Sequence, residues 1–182
     1  KPENHIIYPD QPSAARVVYE YFGGAEKLPN ISKEMMEAVD KADSADFTKD
    51  EILNPDAWVL LSFIMDARTG LGRFRDFNIS NYQLMMQLID VCLEHQDISE
   101  ILQLPDVKER VDLYHEHQLK FREQVERCAT IHDNLVVLDL RKEDSIWAGN
   151  RFVIYALYPQ QNISLHVLWG KNKQNTVFAI GK

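Results

Sequence analysis

Pro105 stands where a first-turn proline belongs, and the residues after it set the organisation of the chain. Residues 106–130 carry Val107, Val111, Tyr114, Phe121, Val125 and Cys128 at mostly helical spacing, with charged residues on the other faces. One long helix is expected here, acting as a connector between two differently patterned parts. The part before it, residues 1–104, reads as helices. The part after it, residues 131–182, reads as strands. The expected fold class is therefore mixed α/β, with an α+β appearance.

The helical part is punctuated by local signals. Residues 1–12 hold three prolines and read as an extended lead-in. Pro12-Ser13-Ala14-Ala15 is expected to open a helix running to about Phe22, with Val17, Val18, Tyr21 and Phe22 as its apolar stripe and Gly23-Gly24 as its stop. Ser32 can cap a helix over residues 33–41, with Glu34 in its first turn. Thr48 and Glu51 match a capping box. Asp56 can cap an apolar helix over residues 57–67, which is expected to be buried. Gly70 and Gly72 interrupt the chain, Ser80 can cap a helix to Glu94, and residues 97–104 read as a short helix or linker. Beyond Asp133-Asn134, four β-branched and aromatic runs are expected as strands: 135–140, 152–158, 163–169 and 176–180. The last three are expected to be successive antiparallel strands.

The chain has 182 residues and a formal net charge of −8, which argues against a general nucleic-acid coat. The charge is uneven. Residues 1–130 have a net of −10 and residues 131–182 a net of +2. A polyanion is expected to meet the C-terminal part or a local cluster. No apolar run is long enough to span a bilayer, since 57–65 is broken by Ser62 and followed by Asp66 and Arg68. Two cysteines, Cys92 and Cys128, do not make a disulfide framework, and a reducing cytoplasm is the expected location. Lys1 stands where an initiator Met would be, so the chain is expected to begin inside its gene.

Three segments can carry chemistry. Asp40, Asp43 and Asp46 crowd one helix end. They can offer oxygen ligands to Mn²⁺ or Mg²⁺, or form a solvated terminus with Asp43 or Asp46 capping a turn. The segment from Asp66 to Arg75 sets Arg68, Arg73 and Arg75 around two glycines. These arginines can grip phosphate oxygens in pairs, or they can pair with Asp66 and Asp76. Lys171, Lys173 and Lys182 add a basic C-terminal patch. His115 and His117 lie two apart, on different helix faces, so a shared metal is not expected. Walker, zinc-protease and serine-elbow spacings are absent, and neither cysteine has the neighbours of a nucleophile.

The order of these segments resembles the DHH phosphoesterase superfamily, in its exopolyphosphatase-like and oligoribonuclease branch. Residues 12–21 look like the helix that follows the Asp-His-His motif. Val39-Asp40-Lys41-Ala42-Asp43 is similar to a later aspartate motif. Asp66-Ala67-Arg68-Thr69-Gly70 with Arg73-Phe74-Arg75 resembles an Asp-Thr-Gly-x-Phe-Arg stretch carrying an insertion. Strands ending in Phe178-Ala179-Ile180-Gly181-Lys182 look like entry into a DHHA1 substrate domain.

The resemblance implies a metal-dependent phosphoesterase with two Mn²⁺ or Mg²⁺ ions. It implies Asp40, Asp43 or Asp66 as metal ligands, and Arg68, Arg73, Arg75 and Lys182 on substrate phosphate. It implies a phosphate-containing substrate (short oligonucleotide, dinucleotide or polyphosphate) and allows a homodimer. It divides the chain into residues 1–104 of a catalytic domain, a linker helix over 105–130 and a substrate domain from 131. The Asp-x-Asp and Asp-His-His motifs are not in this sequence, and the expectation is a fragment whose remaining ligands lie upstream. The alternative is a non-catalytic interaction or nucleotide-sensing module.

Overall fold

The computed structural model describes residues 6–94 and 97–182. Residues 1–5 of the expected extended lead-in lie outside the described residues. The chain divides into two compact units. One is Lys1–Met65 with Phe77–Lys108, and the other is Asp66–Asp76 with Glu109–Lys182.

The first unit is helical, and several of its helices begin where a short polar side chain satisfies an unpaired N–H group. Helix α1 spans Ala14–Tyr21, and the Ser13 hydroxyl accepts from the Arg16 N–H. Helix α2 is the single turn Gly24–Lys27. Helix α3 spans Lys33–Ser44 behind Ser32, and Ala45 ends it in the left-handed conformation. Helix α4, Lys49–Leu53, opens on a complete Thr48–Glu51 capping box. Helix α5, Ala57–Met65, buries Leu60, Leu61, Phe63 and Ile64. Helix α6, Asn81–Glu94, buries Leu84 and Leu88 but leaves Tyr82, Met85, Met86 and Ile89 exposed. Helix α7 is Ile98–Ile101, and helix α8, Pro105–Cys128, starts in this unit and belongs to the second from Glu109 onward.

Helix α1 forms as its sequence predicts, but its apolar stripe does not face inward. Val18, Tyr21 and Phe22 are exposed and Val17 is half-buried, whereas the buried residue is Tyr19, outside that stripe. The side that points inward is the polar one, because Ser13 and Arg16 meet a buried aspartate on α3.

In the second unit a four-stranded sheet has the order β1-β2-β3-β4. The strands are β1 Ala129–His132, β2 Leu135–Asp139, β3 Ile163–Trp169 and β4 Thr176–Gly181. Strand β1 was not expected, because Ala129 and Thr130 continue the spacing of the long helix. It pairs antiparallel with β2 across Asp133-Asn134, with Asp133 at a positive φ of 49°.

Two expectations are overturned. The run 152–158 is not a strand: Val153–Leu157 forms helix α9. The Asn150 side chain accepts from the Phe152 N–H and turns the chain, and Val153, Ile154 and Ala156 then face inward at helical spacing. As a result β2 and β3 pair parallel, with α9 in the crossover, while β3 and β4 pair antiparallel. The covered face holds Val136, Leu138, Leu140, Val125 and Ile154, with Tyr155 and Leu168 against them. Phe178 and Ile180 on β4 are exposed.

Candidate functional site

Asp40 is the most deeply engaged of the expected site residues. It lies on α3, buried at 9% exposure. Its Oδ1 accepts from the Ser13 hydroxyl at 2.6 Å. Its Oδ2 accepts from Arg16 Nε at 3.0 Å and Nη2 at 2.6 Å. Arg16 donates its own N–H to Ser13 Oγ at 2.9 Å, so the three residues close a ring of hydrogen bonds. Burial opposes the charge on Asp40, but the bonds from Arg16 and Ser13 outweigh it and hold the carboxyl below its ordinary range.

Asp43 follows on the same helix and is exposed. Lys41, between them, pairs with Glu51 of α4. Asp66 caps the 3-10 turn Ala67–Thr69 by accepting from the Arg68 N–H, and the Arg68 guanidinium folds back onto the same carboxylate. Burial works against the Asp66 charge and Arg68 more than offsets it.

These carboxylates were expected to hold Mn²⁺ or Mg²⁺. Hard divalent cations need oxygen ligands whose charge is still available to them. The Asp40 carboxylate is neutralised by Arg16 and the Asp66 carboxylate by Arg68, so neither fits a cation as placed. Among the described residues, no three His, Cys, Asp or Glu side chains come together in a metal-binding group.

The arginine segment belongs to the second unit, and each of its three cations has a partner there. Arg68 pairs with Asp66 and remains 63% exposed in its side chain. Arg73 donates to the Ile146 carbonyl at 3.1 Å and the Trp147 carbonyl at 3.5 Å, and burial lowers its pKa. Arg75 reaches Glu109, which also pairs with the fully buried Arg110. Gly70 takes a φ of 81°, and a Cβ there would run into the Arg73 guanidinium at 2.3 Å.

A network around the segment 143–150 holds these groups in place. Gln124 Nε2 donates to Glu143 and to the Ser145 carbonyl, and its Oε1 accepts from the Trp147 N–H. Phe74 stacks on Trp147 at 5.7 Å and meets the His117 ring edge-on at 4.3 Å. The Ala148 N–H points at His117 Nδ1, which fixes the neutral ring with its proton on Nε2. Burial lowers the His117 pKa. Gly149 donates its N–H to the Thr69 carbonyl and leaves no room for a side chain, since a Cβ would lie 2.0 Å from Phe121. Asn150 donates to the Tyr114 hydroxyl at 2.8 Å, and burial pushes that phenol up to about 12.

Lys182 is exposed at the end of the chain, and Lys171 and Lys173 are exposed in a 3-10 turn. The sequence reading missed Tyr114, His117, Gln124 and Asn150 as members of one network. A usable signal was present: residues 107, 110, 114, 117, 121, 124 and 128 follow helical spacing once polar residues are admitted to the stripe.

Mixed helix and sheet with this buried polar network defines an α/β protein. No family model and no curated protein matches the chain. Among solved structures it matches the pGpG-specific phosphodiesterase PggH from Vibrio cholerae, at 61% identity and a TM-score of 0.89. The match covers 100% of this chain and 60% of that one, so the chain spans about three-fifths of the length of its structural relative.

Proposed function

We propose that this chain is a portion of a phosphodiesterase that hydrolyses a short linear dinucleotide of the pGpG kind. The observation that carries the reading is the 61% identity to PggH across the whole of this chain. The DHH-like segment order points to the same chemistry. So does the charge distribution, since every cation assigned to substrate phosphate (Arg68, Arg73, Arg75 and Lys182) belongs to the second unit. Dependence on Mn²⁺ or Mg²⁺ is part of the proposal, as is the expectation that the complete enzyme is longer than this chain.

The test is incubation of the protein with pGpG and either cation, with product read by chromatography. Release of GMP that stops on chelation supports the reading. Tight pGpG binding with no GMP release from the full reading frame overturns it in favour of a non-catalytic nucleotide-binding module. Polyphosphate and longer oligonucleotides in the same assay separate the exopolyphosphatase-like and oligoribonuclease-like versions.

Two arginines separate binding from scaffolding. Arg68 is exposed and can trade Asp66 for a phosphate, so Arg68→Ala is expected to raise KM for pGpG about tenfold, the worth of one charge-assisted pair, with the thermal midpoint nearly unchanged. Arg73→Ala is expected to lower the midpoint, because two loop carbonyls lose their donor.

A further inference from the structure

A carboxylate on a helix beside a second aspartate invites assignment as a metal ligand, and the geometry at Asp40 argues otherwise. Oδ2 already accepts two bonds from one guanidinium, and Oδ1 accepts the Ser13 hydroxyl. The Arg16 and Asp40 side chains are 19% and 13% exposed, so the pair is largely withdrawn from water. A divalent cation close enough to bond either oxygen would face the Arg16 charge across a poorly screened gap. The groups around the pair come from both helices: Glu20 lies 3.7 Å from Arg16 along α1, and the Asp40 carbonyl accepts from Ser44 along α3.

We infer that Asp40 is a positioning residue: it serves as the counter-ion of Arg16, locks α3 onto α1 together with Ser13, and is not a cation ligand. The inference leans on the phosphodiesterase reading only in asking which residues a cation would use. The lock itself stands on the hydrogen-bond ring.

The test has two readouts on the same set of proteins: wild type, Asp40→Asn, Arg16→Ala and the double variant. Asparagine keeps the shape of Asp40 and can still accept from Ser13, so that variant is expected to fold. In urea unfolding, each single change is expected to lower the folded-to-unfolded ratio on the order of 100-fold, as breaking one side of a buried pair does. The double variant is expected to lose far less than the two single losses combined. Arg16→Lys is expected to recover part of the loss. Additive losses, or none, would overturn the lock.

The second readout is Mn²⁺ binding, followed by the electron paramagnetic resonance signal of the free ion. Asp40→Asn and Arg16→Ala are expected to change Mn²⁺ affinity equally. A selective loss of binding in Asp40→Asn, with Arg16→Ala unchanged or tighter, would make Asp40 a ligand and overturn the inference. If wild type binds no Mn²⁺ at all, the four proteins agree with one another and the inference holds. The metal part of the proposed function is then what fails.

Discussion

His117 is a residue whose ionisation the fold resists. Its ring is 3% exposed, and its Nδ1 accepts the Ala148 N–H. Protonation would turn that acceptor into a donor aimed at another donor. Burial depresses the folded-state pKa, while Glu116 opposes the shift and Lys120 and Arg73 add to it. The sign follows from linkage. Below 6.5, the ordinary value, the unfolded chain binds a proton that the folded chain refuses. The stabilisation is complete above that pH and is lost as pH falls through and below it, by at most about 1.4 kcal/mol per unit. Urea midpoints of wild type and His117→Gln between pH 7.5 and 5 check this. The variant is expected to be flatter, and parallel curves would rule the effect out.

At the scale of elements, the segment 143–150 relies on a glycine for contact. Gly149 sits against Phe121 of α8 with its N–H on the Thr69 carbonyl. Gly149→Ala is expected to destabilise the protein by about 1–3 kcal/mol, the usual cost of forcing a methyl into a filled space. Gly72→Ala is the control, since nothing lies within 4 Å of a Cβ there. Equal thermal midpoints for the two variants would contradict the packing described.

Helix starts were legible in the sequence because a cap is local: Ser13, Ser32 and Thr48 each act within three residues of themselves. The strand assignment at 152–158 failed because β-branched and aromatic content cannot separate a short buried helix from a strand. The site was legible as a set of residues but not as a set of partners. Asp40 and Arg73 stood out from their neighbours in sequence, yet the groups that engage them lie 24 and 73 residues away. On the long helix Arg110 and Gln124 are fully buried although they lie outside its apolar stripe, because each has a polar partner inside.

For the whole molecule, the two units divide the charge much as the sequence halves do. The first carries a net of −10 and the second a net of +2. An anionic ligand would meet less repulsion at the second. That unit also contains the sheet, and the sheet contains a difference in reach. Strands β1 and β2 are separated by two residues and β3 and β4 by six, whereas the parallel pair β2–β3 is separated by 23. Short closures lose less chain entropy than long ones, so the two hairpins can assemble quickly and separately, and their union waits for α9 to form and draw them together. Pulse-labelled hydrogen exchange is expected to show amides of β1–β2 and β3–β4 protected before those shared by β2 and β3. The parallel pairing is thus the seam of the sheet: the last join to close during folding, and the place where slow or interrupted folding would leave two finished ribbons with nothing between them.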